Sequence, residues 1–151
     1  AGILLLLATV TAAAAGAVIS GHNSDPWYDA LNKPVLTPPD ILFVLVWPAL
    51  FVLMAAGALL VLERAGSFDR AVSPLGLYYT MLAFNAGWSL AFFGMNEVAL
   101  ALGVLVALWL LIVAMMQDFW RYSHLAALLQ LPYLAWVSFA GYLNAFILFA
   151  N

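Results

Sequence analysis

Polar and apolar positions along this chain do not alternate with any short period; they separate into long blocks. The eleven charged residues fall at 25, 29, 33, 40, 63, 64, 69, 70, 97, 118 and 121. Between them lie five charge-free stretches, 1–24, 41–62, 71–96, 98–117 and 122–151. A helix crossing a hydrocarbon core needs about 20 apolar residues at ~1.5 Å each, and every stretch is long enough. Inside lipid the backbone must satisfy its own polar groups, so each stretch is a helix or belongs to a closed barrel. Barrel strands alternate, whereas Ile3–Ala8 and Ala99–Ala114 are apolar throughout. The pattern predicts an all-α integral membrane protein, one domain over 1–151, with five transmembrane helices at about 2–20, 41–62, 76–94, 98–117 and 125–149.

The connection 21–40 is different in kind. It carries His22, Asn23, Ser24, four charges and Pro26, Pro34, Pro38 and Pro39, a composition that predicts a structured surface loop. The alanines at 12–15 resemble a signal-cleavage region, but the apolar run is longer than an ordinary signal core, and a retained helix is expected. With five crossings the N-terminus shares a side with Arg64, Arg70 and Arg121, against Lys33 opposite, which places it on the cytoplasmic side.

Composition narrows the functions. The chain is 68% apolar and 7% charged, with a mean hydropathy of +1.09, which excludes a water-soluble globule. Four Lys and Arg against seven acids cannot neutralise a run of phosphates, so no nucleic-acid partner is expected. There are no cysteines, and His22 and His124 have no companions at metal-ligand spacing, so no metal site is expected. No ionisable side chain falls inside a predicted span, which argues against ion-coupled transport.

What the spans carry is aromatic: six Trp, six Tyr and ten Phe in the whole chain. Trp47 and Phe51 share a face of the second helix, Asn85 and Trp88 a face of the third, and Trp136, Ala140, Leu143 and Asn144 a face of the fifth. Indoles beside a buried amide and a small residue suit an apolar cavity with a polar anchor for a flat hydrophobic ligand. Asn85 equally suits a hydrogen bond to a neighbouring helix. Pro48 and Pro132 predict kinks within the second and fifth helices. Ala83, Gly87 and Ala91 form a small-residue stripe that fits either a homodimer seam or packing inside the bundle.

Several blocks carry a family resemblance. Trp27-Tyr28-Asp29-Ala30-Leu31-Asn32-Lys33-Pro34, Thr37-Pro38-Pro39, Trp47-Pro48, Pro74-Leu75-Gly76-Leu77-Tyr78, Phe84-Asn85-Ala86-Gly87-Trp88, Phe92-Phe93-Gly94 and Pro132-Tyr133-Leu134-Ala135-Trp136 through Leu143-Asn144 together resemble the TspO/translocator protein family, the tryptophan-rich sensory proteins or peripheral benzodiazepine receptors. The resemblance implies a five-helix bundle, generally dimeric, whose cavity binds porphyrins such as protoporphyrin IX or a haem-like tetrapyrrole, and other hydrophobic molecules. It places the pocket on Tyr28, Trp47, Phe51, Asn85, Trp88, Trp136, Ala140 and Leu143. No obligatory cofactor is implied. Leu36 and Ile41 replace tryptophans often found around the first-loop prolines, and nothing basic follows Tyr133 or Tyr142 as the sterol-recognition pattern requires. The first departure implies a less rigid lid over the cavity, and the second points to a bacterial cell envelope over a mitochondrial outer membrane. The resemblance thus leads to a membrane receptor or sensor for porphyrins, with propionates directed toward Lys33 or His22. It also admits light-dependent degradation of protoporphyrin IX, with Trp47 and Trp136 as the reacting indoles, and facilitated passage of tetrapyrroles or lipids.

Overall fold

The computed structural model describes residues 2–23, 31 and 40–151, with side chains at 2–15, 31 and 45–151. Every described element is helical: α1 (Gly2–Asn23), α2 (Asp40–Ala65), a 3₁₀ turn (Asp69–Ala71), α3 (Val72–Ser89), a π turn (Leu90–Gly94), α4 (Val98–Trp120), α5 (His124–Leu128) and α6 (Leu131–Ala150). The predicted loop 21–40 lies largely outside the described residues. The five predicted spans are present, α5 and α6 together making the fifth.

Local chemistry sets the ends. α2 continues through Glu63 and Arg64 and stops at Gly66, whose φ of 90° is open to glycine without a Cβ clash; its N–H closes on the Leu62 carbonyl at 3.0 Å. Ser123 caps α5, its Oγ accepting from the Ala126 N–H at 3.2 Å. The fifth span departs from expectation. Pro132 does not kink the interior of a continuous helix but lies in the first turn of α6, where a missing N–H costs nothing. The chain breaks at Leu129–Gln130 and restarts. Pro48 lies inside α2 as expected.

Neighbouring helices pack in a ring: α1 against α2 and α3, α3 against α4, α4 against α6, and α5 back against α2. On α4, Ala101, Leu105, Leu108, Ile112, Met115 and Phe119 are buried, one stripe of helical period facing the bundle. Its other face leaves Leu100, Val106 and Leu110 at least half exposed, as a lipid-facing surface requires. Polar pins join the helices. The Thr9 hydroxyl donates to the Leu5 carbonyl at 2.9 Å, so the Tyr78 hydroxyl is left to donate to Thr9 Oγ1 at 2.6 Å, fastening α1 to α3. At the end of the bundle where α3 begins, Ser73 donates to Asp118, which is also ion-paired with Arg121.

The two helical spans that frame the interior do not run at constant separation. α2 approaches α5 so closely at Gly57 that a Cβ there would meet the Ala126 carbonyl oxygen at 2.8 Å. Toward the N-terminal end of α2, its contact with α6 is sparser and is made by large rings. The result is a wedge between α2 and α6, closed at Gly57.

Candidate functional site

Trp47 on α2 is the hub of the wedge. Its ring lies 5.9 Å from Phe51 one turn along the same helix, 6.3 Å from Tyr133 and 6.2 Å from Trp136, the last two edge to face. Edge-to-face contact satisfies the ring quadrupoles, which is the favoured geometry at these separations. Phe51 is buried and Tyr133 fully so, whereas Trp47 and Trp136 are half-buried. The rings therefore turn into the bundle and meet one another across it.

A second aromatic group sits on α3 and its π turn. Trp88 stacks on Phe92 at 5.4 Å and meets Phe93 edge-on at 6.0 Å. In an α-helix the residues three and four along share Trp88's face, and the fifth does not. The wider turn, closed by Met95 N–H on the Leu90 carbonyl at 2.7 Å, brings the fifth round as well.

Two amides couple these groups to α6. Asn85, buried on α3, donates to the Tyr133 hydroxyl. The Trp88 Nε1–H donates to Asn144 Oδ1 at 3.0 Å, and Asn144 Nδ2 donates to the Val98 carbonyl at 3.0 Å. Asn144 thus ties α3, α4 and α6 at one point. Asn85 makes the neighbouring-helix bond that its sequence position allowed. Each such bond within a membrane contributes about 0.6 kcal/mol on average, so the pair orients rings more than it stabilises the bundle.

The residues expected from sequence are distributed as follows. Trp47, Phe51, Asn85, Trp88, Trp136, Ala140 and Leu143 all face inward or sit half-buried at the helix contacts, but in two aromatic groups bridged by amides. Tyr28, Lys33 and the His22 side chain lie outside the described residues. In the small-residue stripe, Ala83 is exposed, Gly87 half-buried with Val104 as its neighbour, and Ala91 buried against Phe92, Ala101 and Ile147. Its two ends thus serve different surroundings. Tyr133 was not singled out from spacing, although it stands three residues before Trp136; its ring and hydroxyl join both halves of the site. No Asp, Glu, Lys, Arg or His side chain is among the wedge residues described above, and no described residues group as three or more metal-ligating side chains. The chemistry on offer is contact, shape and π-electrons.

Comparison with known proteins places this geometry. Residues 3–150 match the model of the TspO/MBR family. The chain is 40% identical to the tryptophan-rich protein TspO of Chlorobaculum tepidum, over 91% of this chain and 87% of that one. It is 38% identical to protein CrtK of Rhodobacter capsulatus over 89% of this chain and 84% of that one. With the human translocator protein it shares 40% identity over 78% of this chain and 70% of that one. A five-span bundle with aromatic side chains gathered between α2, α3 and α6, matched over nearly its whole length, makes this multi-pass integral membrane protein a member of the TspO/MBR family.

Proposed function

We propose that the wedge between α2 and α6 receives flat hydrophobic molecules, with tetrapyrroles of the protoporphyrin IX kind as the leading class, and that the protein acts as a membrane receptor or sensor for them. The observation that carries this reading is the convergence of Trp47, Tyr133 and Trp136 from α2 and α6, while further along α2 the backbone is pressed against α5 at Gly57. The rings hold each other by contacts of the same kind a planar guest would make, so a guest exchanges ring–ring for ring–guest contacts at little cost. Helix backbones need not part at the closed end. Names such as "tryptophan-rich sensory protein" among relatives agree with a sensing role. The exposed Ala83 end of the stripe is the part of α3 offered for a homodimer.

The test is quenching of tryptophan fluorescence by protoporphyrin IX in nanodiscs. Trp47→Phe and Trp136→Phe are each expected to weaken binding about tenfold, or ~1.4 kcal/mol, while the helical content stays unchanged. Unaltered affinity in both variants would overturn the reading.

One observation favours a second, photochemical reading. Trp47 and Trp136 lie in direct edge contact at 6.2 Å, so an electron hole formed on one indole by a photoexcited porphyrin can pass to the other. Illumination in the presence of oxygen is expected to bleach the bound Soret band faster than that of free porphyrin, and Trp136→Phe to slow it. Equal rates for bound and free porphyrin would leave binding alone.

A further inference from the structure

Where the fifth span breaks, between α5 and α6, one amide stands in the apolar run Leu128–Leu131. It belongs to Gln130, which is fully buried. Its side chain reaches two elements: Nε2 donates to the Met54 carbonyl of α2 and to the Ala126 carbonyl of α5, each at 3.4 Å. Its backbone starts a third. The Gln130 carbonyl accepts from the Leu134 N–H at 3.0 Å, the first rung of α6.

The facing helix makes room for this amide. A Cβ at Gly57 would fall inside contact distance of Gln130 Nε2 as well as of the Ala126 carbonyl, so the side-chain amide occupies the place that a side chain at 57 would take. Gly57 and Met54 are three residues apart and share a face of α2. Trp47 stands seven residues before Met54, two turns along the same face. On the other side, Tyr133 and Trp136 lie in the first two turns of α6, directly after Gln130. One hydrogen-bonded notch thus joins the two ring-bearing segments. Ring contacts alone fix axial register poorly, because each dispersion contact is small and without direction, whereas a hydrogen bond has a defined length and angle.

We propose that Gln130 is a positioning residue for the wedge: its amide, seated at Gly57 and bonded to Met54, sets the register in which Tyr133 and Trp136 face Trp47. The proposal rests on the wedge being the receptor site. Gln130 itself touches no guest and acts through the rings. An apolar side chain of similar volume would fill the same space without selecting a register, methionine being unbranched and adaptable.

The indoles of Trp47 and Trp136 lie 6.2 Å apart at 84°, close enough for exciton coupling. In nanodiscs without porphyrin, their couplet is the part of the circular dichroism lost in both Trp47→Phe and Trp136→Phe. Gln130→Met is expected to lose that couplet with helical content retained. Gln130→Asn, which keeps an amide but is one methylene too short for the Met54 carbonyl, is expected to lose it too and carries the test should Gln130→Met fail to fold. An unchanged couplet in either folded variant would overturn the assignment, even with a lowered melting midpoint, because an amide that only stabilises would leave the rings in place. The couplet is read without a guest, so the register can fail while porphyrin binding by the rings stands, and the reverse.

Discussion

α2 meets the fifth span twice, and the two meetings are opposites. At Gly57 the backbones come so close that not even a methyl group fits. Toward Trp47 the gap is spanned by indole, phenol and phenyl rings. The first contact fixes geometry because nothing can be added to it. The second is made of replaceable side chains, held mainly by dispersion and quadrupole fit, and is where a membrane protein without intramembrane charge has freedom to admit another molecule. A closed end without tolerance is what allows the open end to be adaptable without loss of the fold.

That contrast can be tested by substitution. Gly57→Val is expected to be the most damaging change, destabilising by about 3 kcal/mol, the upper part of the usual range for overpacking. Thermal unfolding in nanodiscs would show it as a large fall in midpoint, and a midpoint within a degree of the parent would refute a tight closed end. An intermediate loss, about 1–2 kcal/mol, is expected for Asn85→Leu, because the Tyr133 hydroxyl is left buried without its partner. Adding Tyr133→Phe should recover part of that loss, and strict additivity in the double-mutant cycle would mean the two side chains do not interact. At the open end, Trp136→Phe keeps a ring in place and should cost less than about 1 kcal/mol. A loss there as large as that of Gly57→Val would erase the distinction between the two ends.

Much of the fold could be read from the sequence because the bilayer leaves few solutions. Charge-free stretches of sufficient length must be helices, and their number and order followed from where Glu63, Arg64, Asp69, Arg70, Glu97, Asp118 and Arg121 fall. The α2, α3 and α6 faces could be read from three- and four-residue spacing, which brought Trp47 beside Phe51 and Asn85 beside Trp88 on the right elements. Two features could not be read that way. The π turn at Leu90–Gly94 inserts a residue into the helical count, so Phe93 joins Trp88 where a regular period would turn it away. The break before Pro132 coincides with Gln130 reaching across to Met54, a contact between residues distant in sequence. Asn85 had two readings of equal standing, and only its proximity to Tyr133 in space distinguishes the bond it makes. Gln130 left no periodic signal at all, being one amide in an apolar run.

Pro48 follows Trp47 directly and stands within α2, so the turn that carries the hub indole lacks one rung of its hydrogen-bond ladder. α6 is braced along α4, and α2 along α1. The two sides of the opening therefore differ in backbone continuity: beside the rings α2 lacks a rung, while the proline of α6 lies in its first turn. Bending the first two turns of α2, about 12 Å long, by ~15° at the proline moves their tip by ~3 Å, close to the thickness of an aromatic plane. The indole that would greet a guest thus stands beside the missing rung of its own helix.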